Sequence, residues 1–280
     1  MHCHPKEVIP LHQRPIGVFD SGLGGLTAAR QLRRIMPSEN IIYFGDTARV
    51  PYGGRSRDTL LKYARQDMRF LRQFDLKAVV IACGTVSSNC LTELRAENDL
   101  PIIGVVEPAV EAAVRATKNG RVGIVATQAS VSSGAYERYF RQVAPEVHLF
   151  SRACPLFVPL VEEGRCHVGD IVIETVAEDY LKELREQGID TLVLGCTHYP
   201  LIAPVIAKIL GSGVTLIDAG AESARATRAL LTGRGELADR EQGQSRYYTS
   251  DRVDGFERLA SLFLGEDITG QVQKIDISQY

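Results

Sequence analysis

No run of apolar residues in this 280-residue chain approaches the ~20 needed to span a bilayer, so no membrane partner is expected. The first 15 residues hold His2, His4 and His12 but no apolar core of a secretory signal, and the chain reads as cytoplasmic. An excess of one charge is missing too. Lys plus Arg number 32 against 34 Asp plus Glu, and a net charge of −2 offers no electrostatic footprint for nucleic acid. Six cysteines are too few for a disulfide scaffold, and a reducing cytosol keeps them as thiols. No pair has Cys-x-x-Cys spacing, which removes the main support for a zinc or thioredoxin-like site. His2, Cys3 and His4 could grip a metal adventitiously but read as a terminal tail, and no metal is expected. Gly22-x-Gly24-Gly25 lacks the Gly-x-Gly-x-x-Gly spacing, and no Lys-Ser/Thr follows it, so nucleotide binding is disfavoured.

What is present is the composition of an ordinary soluble globular protein, 45% hydrophobic and 24% charged, with length for one large core or two medium ones. Short apolar runs alternate with helical periodicity. Strands are expected at Ile16–Phe19, Ile41–Phe44, Ala78–Ile81, Pro101–Val105, Val122–Val125, Val147–Phe150, Leu192–Leu194 and Val214–Ile217. Between and after them, helices are expected at Leu26–Ile35, Ser56–Phe74, from Cys83 to Asn98, from Thr127 to Val143, Gly169–Gln187, beyond Pro200, Glu222–Leu231 and Val253–Leu264. Residues 154–159 and the polar stretch Gly233–Ser245 read as loops. This rhythm predicts an α/β protein with doubly wound parallel sheets.

Two of these strands end alike. Ala78-Val79-Val80-Ile81 runs into Ala82-Cys83-Gly84-Thr85, and Leu192-Val193-Leu194-Gly195 runs into Cys196-Thr197-His198, 113 positions later. The echo extends to residues 14–20 and 121–127, and to the strands that begin 18 residues past each cysteine. It predicts two similar halves related by a rough two-fold. Cys90, Cys154 and Cys166 lack such a setting and read as structural.

Ligands of open parallel sheets bind beyond the carboxyl ends of the strands. Asp20, Ser21, Asp46, Thr47, Cys83, Thr85, Thr127, Cys196, Thr197 and His198 all fall there. If the halves face one another, a ligand between them meets one thiol on each side. Opposed thiols suit removal of a proton from one face of a stereocentre and its return to the other. One thiol must then be held as thiolate by its neighbours, and Asp20 and His198 are the candidates for handling the proton. The turn Ser21–Gly25 offers backbone N–H groups to a carboxylate, and Ser21, Thr85 and Thr197 add hydroxyls.

With these residues assembled, the chain resembles the glutamate racemases of the cofactor-independent aspartate/glutamate racemase superfamily. The resemblance rests on Gly17-Val18-Phe19-Asp20-Ser21-Gly22-Leu23-Gly24-Gly25-Leu26, on Tyr43 to Gly53, on Ile81-Ala82-Cys83 and on Gly195-Cys196-Thr197-His198-Tyr199-Pro200-Leu201. It implies that Cys83 handles the α-proton of D-glutamate with help from Asp20, and Cys196 that of L-glutamate with help from His198. Asp20, Ser21, Tyr52, Gly53, Gly84, Thr85, Thr127, Cys196 and Thr197 would hold the substrate, with Glu162 near the site. The resemblance also implies no cofactor, a homodimer, supply of D-glutamate for peptidoglycan, and interleaved halves of 1–106 plus 218–280 against 107–217. No lysine in the motifs is placed for a pyridoxal phosphate Schiff base. An aspartate or other acidic amino-acid racemase is the alternative enzyme; a ligand-binding or gyrase-inhibiting protein of the same fold is the non-enzymatic one. One departure stands out. Where the family has Cys-Asn-Thr, this chain has Cys83-Gly84-Thr85, and Gly84 is expected to remove a polar contact and enlarge the pocket.

Overall fold

A computed structural model describes residues 9–280; the His2-Cys3-His4 tail lies outside them. The first part of the chain forms β1 (Ile16–Asp20), α1 (Leu26–Ile35), β2 (Ile41–Gly45), α2 (Arg57–Leu71), β3 (Ala78–Ile81), α3 (Gly84–Ala96) and β4 (Ile102–Ile103). It continues with α4 (Val106–Ala116), β5 (Arg121–Ala126), α5 (Gln128–Ser132), α6 (Ala135–Val143), β6 (His148–Ala153), α7 (Phe157–Glu162), α8 (Ile171–Glu186), β7 (Thr191–Leu194), α9 (Ala203–Leu210) and β8 (Thr215–Asp218). Then α10 (Ala219–Arg234), β9 (Ser245–Thr249), α11 (Val253–Leu264) and β10 (Val272–Lys274) follow.

The strands make a six-stranded sheet, β10-β9-β2-β1-β3-β4, and a four-stranded sheet, β6-β5-β7-β8. Every pairing in both is parallel. β1, β2, β3 and β7 are buried at every position, as parallel strands covered on both faces require. The faces alternate: Ile16 and Val18 pack into one apolar cluster, Phe19 into another. Both sheets share the order second-first-third-fourth, so the expected internal repeat is present in the topology.

The pairing registers refine that repeat by one residue. Phe19 lies beside Ile81 and Val125 beside Leu194, two residues before each cysteine. Asp20 therefore matches Ala126 and Ser21 matches Thr127, rather than Asp20 matching Thr127. The shift also aligns Gly17 with Gly123. In each a β-carbon would press on packed aliphatic side chains, Leu76 at 2.7 Å in one and Ile189 at 2.7 Å in the other.

Four local expectations differ from the structure. β9 and β10 were not expected, because Ser245-Arg246-Tyr247-Tyr248-Thr249 is no apolar run; it becomes a strand through pairing with β2 and burial of Tyr247 and Tyr248. The helix expected from Thr127 to Val143 is broken by Gly134, whose φ of 63° is left-handed. The loop at 154–159 contains the start of α7, with Pro159 in the first turn, where a missing N–H costs nothing. α10 begins at Ala219, before the expected Glu222, because the Asp218 side chain caps it by accepting the Gly220 and Ala221 amides.

Candidate active site

In each sheet the first and third strands are neighbours from which the chain departs in opposite directions, and their carboxyl ends open a crevice. Cys83 stands there as the N-cap of α3, and Thr127 as the N-cap of α5. A cavity of about 430 Å³ lies between the two sets of strand ends. Of the expected residues, Ser21, Tyr52, Gly53, Cys83, Gly84, Thr85, Thr127, Glu162, Cys196, Thr197 and His198 line it. Both thiols are thus brought to one cavity. Asp20 is not among the lining residues: its side chain is fully buried, near enough for its charge to act on Cys83. Gln128, Val50, Val158 and Cys154 line the cavity without having been expected. Cys154, structural by its sequence setting, lines the same space through its place just past β6.

On one side, Cys83 donates to the Ser21 hydroxyl at 3.5 Å. Burial, then the negative charge of Asp20, push the Cys83 thiol up to about 12. Burial also raises Asp20, against the pull of nearby His198 and of backbone amides. Asp20 Oδ2 accepts the Gly22 amide at 3.0 Å, whereas Oδ1 has no partner among the described residues. The Ser21–Gly25 turn does bind a carboxylate, but it is that of Asp20. The Tyr43 hydroxyl fastens the turn from below, donating to the Gly22 carbonyl at 2.8 Å.

On the other side, Cys196 Sγ is 3.9 Å from His198 Nδ1, and His198 Nε2 is 3.0 Å from Glu162 Oε1. Burial pulls His198 down, but its bonds to Cys196 and Glu162 outweigh that and raise it to about 10. The ring therefore carries its second proton at neutral pH, between a carboxylate and a sulfur. Thr85 and Thr127 close the floor, their hydroxyls 2.9 Å apart.

A third group of residues, drawn from the Tyr43–Gly53 motif and from α2, holds the loop that carries Tyr52 and Gly53. The Tyr52 and Arg49 side chains both donate to Asp46, and Arg49 also reaches Asp67 at 2.8 Å. The Arg49 guanidinium lies 4.2 Å over the Tyr63 ring, and Ser250 donates to Asp46 at 2.8 Å. Two buried carboxylates share one guanidinium. Burial, then the charge of Asp46, push Asp67 well above the usual carboxylate range, against the pull of the Arg49 guanidinium. Tyr52 lines the cavity while its hydroxyl is committed to Asp46. Asp67 sits inside α2, where it reads as a solvated helix residue; no local signal distinguishes it.

The structure corrects the reading of Gly84. A β-carbon there would not border open space; it would overlap the Gly195 carbonyl oxygen and come within 3.3 Å of the Gly195 carbonyl carbon. Gly84 is the seat of the opposite strand end.

The family model described as Asp/Glu/Hydantoin racemase matches residues 27–227. A glutamate racemase of Geobacter metallireducens is 44% identical over 94% of this chain and 97% of its own length. Among solved structures, a glutamate racemase isoform of Bacillus anthracis superposes with a TM-score of 0.90 at 36% identity, covering 95% of this chain and 98% of that one. The glutamate racemase of Francisella tularensis, solved in complex with D-glutamate, superposes with a TM-score of 0.89 at 36% identity, over 96% and 100% of the two chains. Matches of this extent and identity leave one conclusion: the chain belongs to the Asp/Glu/hydantoin racemase family, among its glutamate racemases, and is an isomerase of that kind.

Proposed function

We propose that this isomerase interconverts L- and D-glutamate by transfer of the α-proton between two thiols, Cys83 and Cys196. The observation that carries this reading is the pairing of each cavity thiol with its own acid-base partner, Asp20 behind Cys83 and the His198–Glu162 pair beside Cys196. With L-glutamate, the Cys196 sulfur takes the α-proton as thiolate and becomes a thiol, leaving a carbanion delocalised into the α-carboxylate. The Cys83 thiol then donates its proton to the opposite face and is left as thiolate. D-glutamate follows the reverse course. His198 holds positive charge next to Cys196 while that sulfur is anionic. Asp20, buried with its charge felt at Cys83, is the group that assists proton transfer at that thiol. The hydroxyls of Ser21, Thr85, Thr127 and Thr197 and the amides at the start of α3 supply hydrogen bonds where negative charge develops. No cofactor or metal takes part in these steps.

Glutamate rather than aspartate is the proposed substrate, supported by the D-glutamate held by the Francisella relative. The proposed product use is D-glutamate for peptidoglycan, in the cytoplasm, by a homodimer. The proposed division into halves of 1–106 plus 218–280 against 107–217 is supported by the sheets: one draws strands from 16–103 and 245–274, the other from 121–218. Each glutamate enantiomer, incubated with the protein alone in heavy water, is expected to lose optical activity and gain α-deuterium. Inertness of both enantiomers would overturn the reading, and exchange of aspartate alone would move it to the sister specificity.

A further inference from the structure

Ala129, in α5 beyond the second sheet, is held on both of its peptide groups by residues of the first sheet's connections. Its amide donates to the Gly53 carbonyl at 3.0 Å. Its carbonyl accepts the Asn89 side-chain amide of α3 at 3.3 Å. The same nitrogen donates to the Thr85 carbonyl at 2.8 Å, one turn back in α3. Beside them the Thr85 and Thr127 hydroxyls meet at 2.9 Å. α3 follows β3 and α5 follows β5, so these contacts form a seam between the two sheets' strand ends. The seam is also a wall. Thr85 and Thr127 line the cavity that holds both thiols, whereas Asn89 and Ala129 line a separate groove of about 770 Å³, together with Arg55 and Arg138.

Neither helix needs the Asn89 bond for itself. The Ala129 carbonyl already accepts the Ser133 amide at 3.1 Å, and asparagine inside a helix is less favourable than alanine. Asn89 also lies in none of the motifs that carry the racemase resemblance. Both groups it reaches are carbonyl oxygens, so its nitrogen must face them, and an oxygen in that place would be repelled. We infer that Asn89 is a positioning residue that closes this seam. By holding Ala129 it fixes the amide on which the Gly53 carbonyl rests, and so keeps the Tyr52–Gly53 loop against the cavity. The inference rests on the racemase reading above, in which that loop helps to hold glutamate.

Asn89 does not line the cavity, so its loss weakens binding of ground state and transition state together, which raises KM more than it lowers kcat. Asn89→Ala removes the donor and favours the helix. Its KM for either enantiomer is expected to rise about fivefold, the worth of one hydrogen bond, with a smaller change in kcat. Asn89→Asp keeps the size of the side chain but turns an oxygen towards two carbonyls, and its KM should rise further. A side chain that only filled space would give the reverse order, with Asp near native and Ala worst. That order, or a native KM in both variants, would overturn the inference. Hydrogen exchange supplies a readout that needs no turnover. The Ala129 amide, which Asn89 does not touch, should exchange faster in Asn89→Ala, while the β5 amides stay as slow as in the native protein. Unchanged exchange at Ala129 would overturn the inference even if KM rose. Should Asn89→Asp fail to fold, KM and amide exchange in Asn89→Ala decide alone. Failure of the racemase reading is distinguishable, since the native protein itself would then invert neither glutamate enantiomer.

Discussion

Asp20 and Ala126 occupy one position in two copies of the same topology, each beside the residue that precedes a thiol. The carboxyl group built into the first sheet has no counterpart in the second. There the proton partner comes from outside the sheet, as His198 beyond β7 and Glu162 at the end of α7. The two sides of the cavity are alike in their sulfurs and unlike in what stands behind them, so substitutions on each side leave different signatures.

Glu162→Gln should lower the His198 titration from about 10 towards 6.5, read from the imidazole proton resonances. A folded value above the unfolded one stabilises fully below about 6.5, and that contribution is lost as pH rises through about 10. The gap in thermal midpoint between the native protein and Glu162→Gln should be widest near pH 6.5 and close by pH 10. A gap that widens with rising pH would contradict the assignment.

Asp20→Asn removes the charge behind Cys83 and should bring that thiol down from about 12, seen in the pH dependence of thiolate absorbance against Cys83→Ser. It should also slow catalysis by about 100-fold. Because the two enantiomers are equally stable, kcat/KM must fall equally in both directions. The side affected is revealed instead by a larger primary isotope effect with α-deuterated D-glutamate, the enantiomer whose proton Cys83 takes.

Cys83→Ser and Cys196→Ser should each reduce racemisation by at least ~10³-fold, since a hydroxyl is a far weaker base and acid pair than a thiol at neutral pH. Circular dichroism of the substrate follows the rate directly. Cys90→Ser, buried in α3 away from the cavity, should leave the rate unchanged.

Asp67→Asn keeps the shape of the side chain and an oxygen for Arg49 to reach, and should preserve both stability and KM. Asp67→Ala leaves the buried side of Arg49 without its 2.8 Å partner and should cost about 1.5–3 kcal/mol in urea unfolding. KM should rise with it, because Arg49 and Asp46 hold the loop that presents Tyr52 and Gly53. Equal KM values in the two variants would show that the cluster supports the fold alone.

The sequence by itself determined the parallel α/β architecture, the internal repeat and the strand-end thiols. These depend on local information: apolar runs of strand length, helical periodicity, caps and turn residues. α1 and α11 fall on the expected bounds because apolar spacing and a following break define them. Only the tertiary structure decided β9, which becomes a strand by pairing with β2 some 200 residues earlier. It likewise decided the cluster of Asp46, Arg49 and Asp67, and the withdrawal of Asp20 from the cavity. Gly84 shows the reason most plainly. Its departure from the racemase pattern is visible in the sequence, yet whether a missing side chain leaves a gap depends on what lies opposite. Opposite it is the carbonyl of Gly195, 111 positions away in the chain and in contact only after both sheets have formed.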